Sequence, residues 1–187
     1  MASWLRKNII SALLVTVMVI LLFVPNAKAY FLKGLLGTGL FNAGTTKQTK
    51  SPVPVAGILL IDASGRPVNT ADLRGKVIFI NFWATWCPPC IAEMGSVQAL
   101  YNTLKNDPRI VFILADADNN PQLATAFMQK HDYDLPVYQL TGQVPENLFS
   151  GTLPTTLIID SKGNLAQQHE GIANYNTHAM RVFLQSL

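Results

Sequence analysis

Two cysteines in 187 residues, Cys87 and Cys90, are too few for a disulfide-stapled scaffold. They are also too few for a structural zinc site, which needs a second cysteine pair or suitably spaced histidines. The 3 histidines, His131, His169 and His178, are scattered along the chain, so neither a metal nor any other cofactor is expected. Charge is sparse as well, at 13% of residues. Three of the 14 basic residues, Arg6, Lys7 and Lys28, precede position 30, and the remaining 11 match the 11 acids. The body of the chain is therefore near neutral, which excludes the basic surface of a nucleic-acid binder. No internal repeat is visible, and the main apolar run, the sixteen residues Ile9–Val24, falls short of the ~20 that span a bilayer comfortably.

What is present begins with that run. Arg6 and Lys7 precede it, and Ala27-Lys28-Ala29 follows with the small-x-small pattern of a cleavage site. Residues 1–29 are expected to be an export signal, cleaved after Ala29, or else a retained membrane anchor tethered through residues 9–24. No cysteine lies near the cleavage point, so a lipid-anchored form is not expected. Either way the remainder is placed outside the cytoplasm, where disulfides persist: the periplasm or the extracytoplasmic face of a bacterial inner membrane. Residues 30–51 show no sustained period and are expected to be a linker. Residues 52–187 are long enough for one domain with its own core.

Within that domain, Val55–Ile61 and Arg66-Pro67-Val68 predict a leading hairpin around the turn Asp62-Ala63-Ser64-Gly65. Val77–Trp83 is apolar at odd and even positions alike, the pattern of a central strand buried on both faces. Pro88 and Pro89 suit the first turn of a helix, where amide hydrogens have no partner to lose, and that helix should reach about Lys105. A strand at Ile110–Ala115, a helix from Pro121 to about His131 and a short strand at Val137–Leu140 follow. A hairpin of Thr155–Asp160 with Leu165–Gly171 and a last helix, from about Asn176 to Gln185, end the chain. Such a mixture gives an α/β domain with a central sheet covered by helices.

The chemistry is expected where Cys87-Pro88-Pro89-Cys90 joins the central strand to its helix. A bridge between these cysteines closes a four-residue ring, removes little entropy from the unfolded chain and is a poor staple; the pair reads as a working dithiol. Cys87, at an exposed first turn and near the positive end of a helix dipole, should be the nucleophilic thiolate. The prolines at 88 and 89 offer no amide hydrogens, leaving the Cys90 amide as the nearest donor, so the depression of its pKa should be mild. Cys90, one turn deeper, should resolve the mixed disulfide. At about 100° per residue, Cys90, Met94, Val97, Tyr101 and Leu104 form a stripe with Glu93 on its border. A carboxylate at an apolar edge has a raised pKa and can trade protons near neutrality; the alternative is a surface acid favouring the N-terminal half of a helix. Trp83 suits the core, and Trp86 suits the rim of the site. Asp116 and Asp118 read as a solvated strand-end loop rather than a cation site.

This order of elements, with Asn81-Phe82-Trp83-Ala84-Thr85-Trp86-Cys87-Pro88-Pro89-Cys90 and the later Leu153-Pro154-Thr155-Thr156, resembles the thioredoxin fold. It is most similar to the exported TlpA/ResA/DsbE-type thiol–disulfide oxidoreductases. The similarity covers about residues 53–187 and includes Gly75-Lys76-Val77 before the active-site strand. It implies a thioredoxin-like domain, a mixed sheet flanked by helices with an N-terminal β-hairpin extension. It implies redox chemistry at Cys87 and Cys90 without a bound cofactor, with an acid at Glu93 helping to deprotonate the buried thiol. Pro154 takes the place of the family's cis-proline facing the cysteine pair, exposing the Leu153 backbone for strand-like pairing with a client and withholding a donor near Cys87. Trp86, Leu153 and Pro154 are thus the substrate-binding candidates. Asn81 stands where thioredoxins proper carry a buried acid, which shifts the proton burden toward Glu93. Gly95 departs from the family, which commonly has proline there. The group mostly reduces selected clients, such as apocytochrome c or copper-site thiols, with electrons from a membrane thiol reductase. Alternative functions are a disulfide oxidase or isomerase, and a metallochaperone holding Cu(I) on the two thiolates.

Overall fold

The computed structural model describes residues 2–23, 25–36, 48–55 and 57–187. Among these residues eight strands form one sheet in the order β1-β8-β7-β4-β5-β6-β2-β3. They are β1 (Gln48–Pro54), β2 (Leu59–Ile61), β3 (Pro67–Asn69), β4 (Val77–Trp83), β5 (Ile110–Asp116), β6 (Val137–Leu140), β7 (Thr155–Ile159) and β8 (Asn164–Glu170). Five α-helices accompany them among the described residues: α1 (Ala2–Phe23), α2 (Pro25–Leu36), α3 (Pro88–Leu104), α4 (Pro121–Lys130) and α5 (His178–Ser186). The arrangement is thioredoxin-like, a mixed sheet flanked by helices, and the leading hairpin β2–β3 adds itself to the sheet through β6.

β4 sits at the centre, parallel to β5 and antiparallel to β7, and every one of its residues is buried. Its odd positions Val77, Phe79 and Trp83 join one apolar cluster with Met94, Val97 and Leu100 of α3, Met128 of α4 and Leu184 of α5. Its even positions Ile78, Ile80 and Phe82 join a second cluster with Ile58 and Leu60 of the hairpin segment and with Leu148. Two-sided burial is what a strand apolar at both parities requires. Each large side chain so covered contributes roughly 1.5–3 kcal/mol, which anchors β4 in the core, and its C-terminal end leads into the cysteine motif.

The N-terminal region differs from the expected organisation. Within the expected linker of 30–51, Tyr30–Leu36 continues α2, which lies along α3 with Ala29 and Leu36 buried. Residues 48–51 belong to β1, which pairs with β8; only 37–47 lie outside the described residues. β1 escapes a reading by propensity because it contains Pro52 and Pro54. As an edge strand with a register shift between Gln48 and Val53 it tolerates them. In α1, Ile9, Leu13 and Met18 are exposed. Among the described residues no helix is long and apolar enough to cross a membrane.

Candidate active site

β4 ends at Trp83, and Ala84-Thr85-Trp86 carries the chain over the sheet edge into α3. Cys87 is the N-cap of α3, its Sγ accepting the Cys90 amide at 3.3 Å, and Pro88 and Pro89 open the helix. The only nearby helix donor is the one left by those prolines. Cys87 and Cys90 are joined as a disulfide with Cα atoms 5.3 Å apart. Cys87 is not exposed as the first-turn position suggests: it retains 3% of its accessible surface, against 0% for Cys90. The reason is that Cys87 packs into the same apolar cluster as Ala84, Trp83 and Cys90, with Leu153 against it. The exposed member of the motif is Trp86, at 68%.

The loop before Cys87 is held from β5. Asp118 Oδ2 accepts both the main-chain N–H and the hydroxyl of Thr85, at 2.8 and 2.7 Å. Asp116 accepts the amides of Asp118 and Asn120 through its two carboxylate oxygens. Asp116 is buried rather than solvated, and burial raises its carboxyl above the usual range against the pull of those amides. Thus the aspartates expected to form a solvated loop instead brace the redox loop.

Glu93, one turn beyond Cys90, is fully buried, deeper than the border position that helical geometry alone suggests. α3 carries it inward against β4 and the segment after β8. Its Oε1 accepts Asn81 Nδ2 at 2.8 Å and its Oε2 accepts the Ala173 amide at 3.0 Å. Burial pushes its pKa up to about 8, against the opposing effect of the two hydrogen bonds. Asn81 Nδ2 also donates to Thr156 Oγ1 at 2.9 Å, and the Tyr175 hydroxyl donates to the same oxygen at 2.7 Å. Tyr175 is buried, and that burial together with the nearby Glu93 raises its pKa well above the phenolic value. The chain from Glu93 through Asn81 to Thr156 and Tyr175 is invisible in the sequence, because pairing across β4 and β7 and the path after β8 assemble it.

The Leu153–Pro154 bond is cis, and the Pro154 carbonyl accepts the Gly171 amide at 2.8 Å. Leu153 packs against the cluster that contains both cysteines. Helix α3 runs through Gly95 without interruption; a Cβ added there would make only ordinary contacts with Tyr133 Oη and Lys33 Cε. His131 caps the end of α4, His169 lies in β8 and His178 begins α5. Among the described residues no three His, Cys, Asp or Glu side chains gather as a metal site.

A thioredoxin-like domain with a disulfide of two residues' spacing at the first turn of the helix after its central strand defines a thiol–disulfide oxidoreductase. The chain belongs to the Redoxin family, whose model matches residues 47–180. It is 35% identical to the thiol-disulfide oxidoreductase ResA of Geobacillus kaustophilus, over 70% of this chain and 74% of that one. To ResA of Bacillus thuringiensis subsp. konkukian it is 30% identical, over 74% and 81%. Among solved structures it is similar to a thioredoxin-family thiol:disulfide interchange protein from Chlorobium tepidum. That likeness has a TM-score of 0.57 and 22% identity, covering 72% of this chain and 97% of the other. StoA from Bacillus subtilis gives a TM-score of 0.51 at 21% identity, covering 66% and 93%; these likenesses speak for the fold.

Proposed function

We propose that this protein reduces disulfides of selected client proteins outside the cytoplasm, with apocytochrome c as the client class favoured by its resemblance. The Cys87 thiolate attacks a client disulfide, one client sulfur leaves and takes up a proton, and a mixed disulfide forms. Glu93 accepts the proton of the Cys90 thiol, whose thiolate attacks Cys87 Sγ and expels the second client sulfur as a thiolate; that sulfur takes up a proton from solvent as Glu93 returns its own to solvent. Two electrons pass to the client and the Cys87–Cys90 disulfide is formed. A thiol reductase in the membrane returns the pair to the dithiol. Trp86, Leu153 and Pro154 contact the client. Residues 1–29 deliver the domain to the periplasm or the outer face of the inner membrane, either as a cleaved leader or as a tether.

The observation that carries this reading is a buried carboxyl one helical turn beyond the resolving cysteine, in a site whose nucleophile has a single amide donor. A thiolate so weakly stabilised leaves the dithiol easily oxidised, which suits a reductant. Redox titration against glutathione tests it: the midpoint should lie nearer the ~−270 mV of thioredoxin than the ~−120 mV of a strong oxidant. A midpoint above about −180 mV, the isomerase value, would turn the assignment to oxidase or isomerase.

A further inference from the structure

The hydrogen bonds around Glu93 fit only one of its two protonation states. Both carboxylate oxygens face donors, the Asn81 amide at Oε1 and the Ala173 N–H at Oε2. Those donors suit an anion. A neutral acid brings a hydrogen of its own, and neither of these partners can accept it. Yet a carboxyl buried to this depth without a cation beside it spends much of its time neutral near pH 7.

An acceptor stands on the same side chain that now donates. Asn81 is fully buried, and its Oδ1 is without a hydrogen-bond partner. The two ends of a primary amide are nearly the same shape, so half a rotation exchanges them without repacking. The turned oxygen would meet the two groups that Nδ2 now serves, Glu93 Oε1 and Thr156 Oγ1. Thr156 is equipped for either orientation. Its oxygen already accepts from the Tyr175 hydroxyl at 2.7 Å, which leaves its own hydrogen free to be donated to the turned oxygen. The nitrogen would then occupy the position that Oδ1 holds now, so an orphaned acceptor is exchanged for an orphaned donor group on the same side chain.

We propose that Asn81 is a positioning residue that turns with Glu93: its amide donates to the ionised carboxylate and rotates to accept the hydrogen of the neutral acid, with Thr156 changing from acceptor to donor in step. An aspartate at this strand position could only accept, and it would add a second negative charge beside the first. The amide instead serves both states of a single acid. The titratable groups facing this network are Glu93 itself and Cys90 on α3, Tyr175 after β8, and His169, which pairs with Thr156 across β7 and β8. In the disulfide form Cys90 does not titrate.

The proposal deepens the reading of Glu93 as the proton carrier, and a test on the oxidised wild-type protein separates the two because no thiol chemistry is involved. In protein labelled with ¹⁵N and ¹³C, the Glu93 carboxyl carbon reports its titration. Nuclear Overhauser contacts from the Asn81 side-chain amide hydrogens to Thr156 report the orientation of the amide. These contacts should be present above the Glu93 midpoint and lost below it, and the Asn81 Nδ2 resonance should move with the same midpoint. Tyr175→Phe leaves the turn in place but should shift that shared midpoint, because Thr156 loses the donor that fixes its hydroxyl. Contacts from Asn81 to Thr156 that persist unchanged on both sides of the Glu93 titration would overturn the proposal. If the amide turns but resolution of mixed disulfides ignores Glu93, the proton-carrier reading fails while the turn stands.

Discussion

Thr85 gives both its main-chain N–H and its hydroxyl to a single oxygen of Asp118, at 2.8 and 2.7 Å. The two residues lie 33 positions apart, on the loops that leave the parallel neighbours β4 and β5. Asp116, in turn, fixes the Asp118 amide, so the loop bearing Trp86 and Cys87 is braced from the next strand. Asp118→Ala leaves two Thr85 donors without their charged acceptor. Hydrogen bonds to charged groups are worth ~1.5–3 kcal/mol each, and the site is part-buried, so the lower end of that range is expected in a denaturant titration. The Thr85 amide should also exchange with solvent faster, while amides in the middle of β4 keep their protection.

Glu93→Gln keeps the shape of the side chain and removes the base. Resolution of a preformed mixed disulfide on Cys87 should slow by ~10²-fold or more, the contribution typical of a positioned base. Attack by Cys87 on a fresh disulfide should change far less. In the wild type, resolution should climb with pH through a midpoint near the Glu93 pKa of about 8, and the Gln variant should lose that step. Stopped-flow release of a chromogenic thiol resolves the two stages; equal resolution rates for both proteins from pH 6 to 8 would refute the base.

The same carboxyl links folding to pH. Its pKa rises from 4.5 to about 8 on folding because the buried anion is poorly solvated. Between these values the folded chain holds a proton that the unfolded chain has released, so stability falls as pH rises. This cost is absent below 4.5, grows through the neutral range and levels off above about 8. The shift corresponds to roughly 4–5 kcal/mol at ~1.4 kcal/mol per unit. Comparing wild type with Glu93→Gln at each pH isolates it from Asp116, whose raised carboxyl acts in the same direction. The Gln variant should gain on the wild type steadily from pH 5 to 8; a constant difference would mean that Glu93 titrates normally.

Reduction separates two cysteines that look almost equally covered in the disulfide. Cys87 keeps a trace of surface and a helix-terminal amide, whereas Cys90 keeps no surface at all. Iodoacetamide near neutral pH should therefore modify Cys87 much faster. Peptide mass mapping after partial labelling reads the order, and preferential labelling of Cys90 would reverse the assignment of nucleophile and resolving thiol.

Much of this architecture can be read from local signals. Val77–Trp83 announces a doubly buried strand by apolar residues at both parities, interrupted only by Asn81, and Pro88-Pro89 places the helix start, because both depend on neighbours in the chain. Glu93 is placed on its helix by period alone, but how deep it lies depends on β4 and on the Ala173 backbone, which no helical wheel contains. Tyr175 sits in a stretch without regular structure or motif, and its link to Thr156 exists only once β7 and the chain after β8 are packed. Asp118 carries the ordinary signature of a polar loop; its role follows from the parallel pairing of β4 with β5, which brings its loop to Thr85. β1 was hidden by its prolines and α2 by a short, broken period, since both rest on tertiary pairing.

Helix α2 has a consequence for how this domain can be transplanted. It forms one side of a cavity of about 230 Å³ whose other walls include Thr85 and Ile91, the neighbours of the redox pair, together with Phe127, His131 and Tyr133. Yet α2 ends at Leu36, ahead of the 47–180 stretch shared with the family. A chimera that grafts only the shared stretch onto another leader would inherit both cysteines, Glu93 and its partners, but would leave one wall of the neighbouring cleft behind. The redox pair with its buried acid and the full wall of this cleft would then be separable, the first carried by the shared stretch and the second only by a graft that begins at Pro25.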